Sequence, residues 1–166
     1  MKSAKFAVLF GALSLVFMGC PYESKFPVDD ASNAKVDKSL TGRWEERSEE
    51  DYKYDIKIDG NQYLITKKKK SGEDEPTKYV GFVSNLTADV SYLNIYEESE
   101  STTSTDRKYY IYKLENKGGV RIDLKGVTDN ITEEFTSSSE LRAFIKKYQD
   151  ISFFFDKDET KTFYKD

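Results

Sequence analysis

Beyond residue 40 the chain alternates apolar and polar positions with a period of two. Tyr52, Tyr54, Ile56 and Ile58 are separated by Lys53, Asp55 and Lys57, and Val120, Ile122 and Leu124 by Arg121 and Asp123. Successive side chains on a strand point to opposite faces, so this alternation predicts strands with one covered face. Asp59-Gly60 and Gly118-Gly119 punctuate these runs, and Gly accepts the positive φ that tight hairpin turns need. Tyr63, Leu64 and Ile65 continue after the first turn. Further strands are predicted at 41–47, 77–84, 91–97 and 107–115. The last two of these are joined by a polar loop, ESESTTSTD, at 98–106. A closing hairpin is expected from 151–156 and 160–165, turned by Lys157-Asp158-Glu159.

One segment changes period. Leu141, Phe144, Ile145 and Tyr148 fall at i, i+3, i+4 and i+7, which predicts a helix over about 138–148 with a single apolar face. Ser137 to Glu140 has the S-x-x-E form of a capping box, with Ser137 as N-cap. Lys146 and Lys147 stand near the helix C-terminus, where the dipole favours cations. Segments 79–83 and 109–112 are apolar or aromatic on both faces, so they are expected to be covered on both sides, with the helix as one cover. The fold class is therefore mainly β. An antiparallel up-and-down meander is expected to form a barrel of about eight to nine strands with one helix in the C-terminal half.

The amino terminus follows neither period. Lys2 and Lys5 precede a 13-residue apolar run from Phe6 to Met18, and the only Cys, Cys20, follows Gly19 directly. A positive start and a short apolar run make a secretory signal peptide, expected over 1–19. Residues 20–38 are polar, contain Pro21 and Pro27, and read as the anchor cysteine and an extended tether, with Tyr22, Phe26 and Val28 as the positions through which part of it could dock on the domain. A single domain is then expected over 39–166.

Composition narrows the chemistry. With no His in the 166 residues, a Ser-His-Asp triad, a His-bound zinc and a histidine pH switch are excluded. A single Cys excludes a disulfide framework and a CxxC site. The first 19 residues hold two Lys and no acid, so the remaining 147 carry 24 basic and 30 acidic groups, a formal charge of −6. That balance argues against nucleic-acid binding. No Gly-rich phosphate loop or metal-ligand spacing occurs, so neither enzyme activity nor a metal or cofactor is expected.

Cys20 in its setting resembles the lipobox of bacterial lipoproteins, in which a Cys after a small residue is acylated and becomes the new N-terminus. The resemblance implies lipidation of Cys20 and attachment to a membrane through acyl chains. It places the protein in the cell envelope. Pro21, standing where an Asp signals inner-membrane retention, points to the outer membrane. Gly42 and Trp44 resemble the Gly-x-Trp that opens the first barrel strand of lipocalins, which implies that Trp44 packs across the closed end. Taken whole, the chain is similar to small Bacteroidetes-like lipoproteins of no assigned activity. They share Tyr22-Glu23-Ser24-Lys25-Phe26-Pro27 after the Cys, the Gly-x-Trp start and a Ser-rich N-cap before a C-terminal helix.

The Tyr content is the main candidate for function. Twelve Tyr are present, mostly on predicted strands. Tyr54, Tyr63, Tyr79, Tyr96, Tyr110 and Tyr112 are candidates to line a barrel interior, where a ring and a hydroxyl suit an amphipathic ligand. The carboxylate clusters, Glu45-Glu46 and Asp156-Asp158-Glu159 among them, read as solvated surface charge. The basic run Lys67–Lys70 reads as a charged hairpin tip. A filled interior would suit a structural or stress role, or one exerted through a protein partner; this is the first expectation. A hollow interior would suit a lipocalin-like binding module.

Overall fold

The computed structural model describes residues 22–48, 51–99 and 106–166. The signal peptide, Cys20 and most of the 98–106 loop lie outside the described residues. The strands are β1 (Glu23–Ser24), β2 (Gly42–Glu46), β3 (Tyr52–Asp59), β4 (Gln62–Lys69), β5 (Thr77–Asn85), β6 (Ser91–Glu97), β7 (Tyr109–Lys117), β8 (Arg121–Val127) and β9 (Phe155–Lys165). The helix α1 (Ser138–Tyr148) precedes β9. All pairings are antiparallel, and β2 to β9 close into an eight-stranded up-and-down barrel through β8–β9, β2–β9 and β7–β8. The short β1 adds to the start of β7, with Glu23 opposite Tyr110. The mainly β meander with one helix is thus the fold observed.

Three local expectations are corrected. The closing hairpin does not form. Residues 155–165 are one continuous strand, and the bend lies earlier, in 149–154. The charged triplet Lys157-Asp158-Glu159 resembles a turn in composition but lacks a Gly. β9 is held by ladders from both sides, Trp44–Glu46 on one and Arg121–Val127 on the other. Lys67–Lys69 belong to β4 rather than to a hairpin tip. Their neighbours alternate outward, where Lys68 meets Asp55 at 3.3 Å and Lys70 meets Glu45 at 3.1 Å. Glu46, read as surface charge, is only 2% exposed. It follows Trp44 by two positions and so shares its inward face.

The segment read as a tether is attached to the barrel from Tyr22 onward. The Tyr22 N–H donates to the Val127 carbonyl at 3.2 Å. Val28 is fully buried, and its N–H donates to Asn94 Oδ1 at 2.7 Å. The Asn94 amide in turn donates to the Phe82 carbonyl at 3.2 Å and to Ser84 Oγ at 2.9 Å. A single Asn thus holds a foreign segment on the outer face of β5 and β6. Two short 3-10 turns follow, Ala31–Asn33 and Lys38–Leu40, each capped by an Asp side chain, Asp30 and Asp37. Asn94→Ala should leave the buried Val28 N–H without a partner. A loss of about 1–3 kcal/mol is expected, with hydrogen exchange at 22–36 rising before the rest of the barrel.

Two cores result. Inside the barrel, Trp44, Tyr63, Ile65, Leu93, Ile122 and Phe163 pack together. Outside it, α1, the N-terminal segment and the bend before β9 cover β5 to β8, burying Val28, Tyr92, Ile111, Leu141, Ile145 and Phe154. The expected double cover of 79–83 and 109–112 is met here. Phe82 and Tyr109 stack edge to face at 6.1 Å beneath this layer.

Candidate functional site

The barrel has one closed and one open end. At the closed end Leu40, from the second 3-10 turn, lies beneath Trp44, whose indole N–H donates to the Leu40 carbonyl at 2.9 Å. Trp44 is fully buried, in the place the Gly-x-Trp resemblance implied. Gly42 has φ +112, and a Cβ there would lie 3.2 Å from Lys165 Cε. The missing side chain lets the Lys165 stem pass so that its ammonium stands 5.3 Å over the Trp44 ring and donates to the Ser39 carbonyl at 3.1 Å. The Asp37 N–H donates to the Tyr63 hydroxyl from below. Burial pushes that hydroxyl's pKa up.

Above this plug lies a cavity of about 360 Å³. Its lower wall is apolar: Ile56, Ile65, Leu93, Ile95, Leu124 and Phe163. Towards the open end it is lined by Glu23, Lys67, Glu97, Glu159 and Lys161. Five of the six candidate tyrosines, Tyr54, Tyr63, Tyr79, Tyr110 and Tyr112, line it. Tyr96 does not. It stands one position from Ile95 and so faces outward, where its ring meets Tyr109 at 5.6 Å and the Arg107 guanidinium at 4.5 Å.

The lining tyrosines differ in what their hydroxyls do. Tyr63 is tied to Asp37. The Tyr54 hydroxyl donates to Glu46 Oε2 at 3.0 Å, and Ser48 Oγ donates to the other carboxylate oxygen at 2.7 Å. The Tyr110 hydroxyl donates to Glu23 at 3.4 Å, and Lys108 holds the same carboxylate at 2.7 Å. Tyr112 is 7% exposed, and its hydroxyl has no hydrogen-bond partner among the described residues. Burial pushes the pKa of that hydroxyl up, and the charges of Glu159 and Glu46 add to the effect.

Glu159 and Tyr112 meet over Gly126. A Cβ on Gly126 would lie 2.7 Å from Glu159 Cβ and 3.4 Å from the Tyr112 ring. Only a residue without a side chain leaves room for both. Partial burial raises the Glu159 carboxyl pKa. Asp156, Glu46 and Asp158 add to the rise, and Lys161 opposes it. Lys67 is drawn to the Tyr52 ring, 4.3 Å from its centroid.

Sequence reasoning found the aromatic lining and missed its charged members. Glu46 keeps the phase of Trp44, and Glu159 and Lys161 keep the phase of Phe163, so strand alternation alone carried the signal. Gly42 and Trp44 stand at the closed end. Ser137 caps α1 away from the cavity. No group of three or more acidic, His or Cys side chains able to hold a metal occurs among the described residues.

The fold and site together define a closed antiparallel barrel with an aromatic, internally charged cavity. Comparison with protein-family models, with curated proteins and with solved structures returned no match.

Proposed function

We propose that this chain is a lipid-anchored envelope protein, non-enzymatic, whose barrel binds a small apolar or amphipathic molecule. The observation that supports this best is the cavity of about 360 Å³ lined by five of the six candidate tyrosines. That volume is at the lower end of the roughly 300–1,000 Å³ of small-molecule pockets. The apolar depth and polar mouth suit a molecule with a hydrocarbon body and a polar end. A filled interior was the condition for a role through protein contacts or as a structural component. The open volume moves the weight to a ligand.

Attachment at Cys20 would orient the barrel. Tyr22 is bound at Val127 and Glu23 pairs with Tyr110, both at the open end. Two residues of chain reach at most about 7 Å. An acylated Cys20 therefore holds the mouth of the cavity close to the membrane surface, where an amphiphile would enter or leave. In this reading the anchored surface is that of the outer membrane. Cys20→Ser should abolish incorporation of a palmitate analogue and membrane retention while the barrel still folds. Equal labelling of both forms would remove the anchor from the proposal.

Ligand binding is tested by native mass spectrometry of the chain purified from its own membranes. A small molecule should be retained by the wild type and lost from Ile95→Phe, which adds volume to the cavity wall. A wild type that retains nothing and takes up no apolar probe would refute the binding function.

A further inference from the structure

The polar half of the cavity is not evenly balanced, and the imbalance bears on which amphiphile it receives. Glu46 is 2% exposed, yet its partners among the described residues are the Ser48 and Tyr54 hydroxyls, with no cation in ion-pair contact. A carboxylate taken out of water without a cation is costly. Glu159 faces the same volume from β9. Glu97 and Glu23 complete the acidic side of the mouth, Glu23 already paired with Lys108 at 2.7 Å. Opposing them are Lys67, held over the Tyr52 ring, and Lys161, whose charge partly offsets Glu159. The sum over the lining, with Glu46 behind it, is negative.

A second observation is independent of the carboxylates. The Tyr112 hydroxyl, on a side chain 7% exposed, stands in the cavity with no hydrogen-bond partner among the described residues. The hydroxyl itself is not closed off within the protein, so an atom in the cavity can reach and pair with it. Its oxygen has two lone pairs and accepts readily. The ring that carries it meets Glu159 over Gly126, and the Glu159 charge is felt at the hydroxyl. The rings of Tyr54, Tyr79 and Tyr110 share the lining, and a cation is attracted to aromatic faces.

We propose that the cavity receives an amphiphile with a protonated amine head, seated between Glu159 and the Tyr112 hydroxyl, with Glu46 supplying negative field from behind the Tyr54 hydroxyl. This rests on the ligand-binding reading and adds the class of head group. A carboxylate head in the same seat would face Glu46 and Glu159, with Lys161 offsetting Glu159 only in part. A neutral alcohol would meet Tyr112 but leave the carboxylates uncompensated.

Trp44 is the only Trp in the chain and lines the cavity, so its emission reports occupancy. The full chain in phosphatidylcholine vesicles is titrated with octylamine, octanol and octanoate, which share one tail. Octylamine should bind about tenfold or more tighter than the other two, as a charge-assisted hydrogen bond implies. Glu159→Gln should remove that advantage while leaving octanol unchanged. Glu46→Gln should reduce it in part, and Tyr112→Phe should weaken octylamine and octanol together. Circular dichroism confirms that each variant is folded. If octanol or octanoate binds as tightly as octylamine, or if folded Glu159→Gln and Glu46→Gln both keep the amine preference, the head-group proposal is overturned and ligand binding stands. If none of the three perturbs Trp44, the proposal falls together with the reading beneath it.

Discussion

Trp44→Ala is expected to destabilise the barrel by about 3–5 kcal/mol, measured as a lowered urea midpoint by far-ultraviolet circular dichroism. The indole is fully buried and stands between the Leu40 plug and the cavity. Its removal loses the contact area of the largest side chain in the interior and leaves the Leu40 carbonyl without its donor. The new void would join the existing one, so the walls have little reason to collapse and offset the loss. Trp44→Phe separates the two contributions. It keeps most of the apolar volume and loses the N–H, so it should cost about 1–3 kcal/mol. If Trp44→Ala melts with the wild type, the closed end is not a packed plug, and the Gly-x-Trp analogy goes with it.

Alternation of side chains made the barrel legible. Strands β3 and β8 follow from period-two runs bounded by Gly turns, and α1 from its change of period and its cap. The misjudged segments share a cause. Lys157-Asp158-Glu159 and Lys67–Lys70 are charged, and in sequence charge resembles the composition of turns and exposed tips. In a barrel whose cavity is lined partly by charged side chains, charge is compatible with either face of a strand. The phase of the nearest buried aromatic decides which. By that rule Glu46 follows Trp44 inward, Glu159 and Lys161 precede Phe163 inward, and Tyr96 turns outward beside Ile95.

The docking of 22–40 is legible only as a few apolar residues, Tyr22, Phe26 and Val28, and its seat on the barrel is not. Val28 is one of a few apolar residues scattered in a polar stretch without a period. It is buried in the outer apolar layer, and its N–H is held by a side chain 66 positions away, Asn94, presented on the outer face of β6. Pairing of that kind depends on the closed barrel already being in place. The consequence for function is geometric. A chain read as a free tether would hold the domain at an undefined distance and orientation. Fixed at Tyr22, it sets the mouth beside the anchor proposed at Cys20.

Ile145→Ala should cost about 2–5 kcal/mol, and its comparison with neighbours on α1 tests whether the helix belongs to the core. Ile145 and Leu141 are fully buried against the outer face of the sheet. Phe144 is half-buried at the edge of that layer, with Phe135 at 5.1 Å and Tyr148 at 4.6 Å, so Phe144→Ala should cost about half the roughly 3–5 kcal/mol of a fully buried Phe. The Ser137 hydroxyl accepts the Glu140 N–H at 3.3 Å, and Ser137→Ala should cost about 0.5–2 kcal/mol. The Glu140 carboxylate reaches one residue past the cap and accepts from the Thr136 N–H at 2.8 Å, so the first turn keeps one tie when Ser137 is lost. Arg142, off the apolar stripe, donates to the Asn85 carbonyl at 2.6 Å and the Leu86 carbonyl at 3.2 Å, tying the helix to the turn after β5. Lys146→Ala, exposed, should stay within about 0.5 kcal/mol. Urea melts of the four variants should therefore rank Ile145 first, Phe144 second, Ser137 third and Lys146 last. A helix that merely rests on the barrel as a partner-binding element would instead give small, equal losses at Ile145 and Phe144, because unfolding of the barrel would not need to expose either.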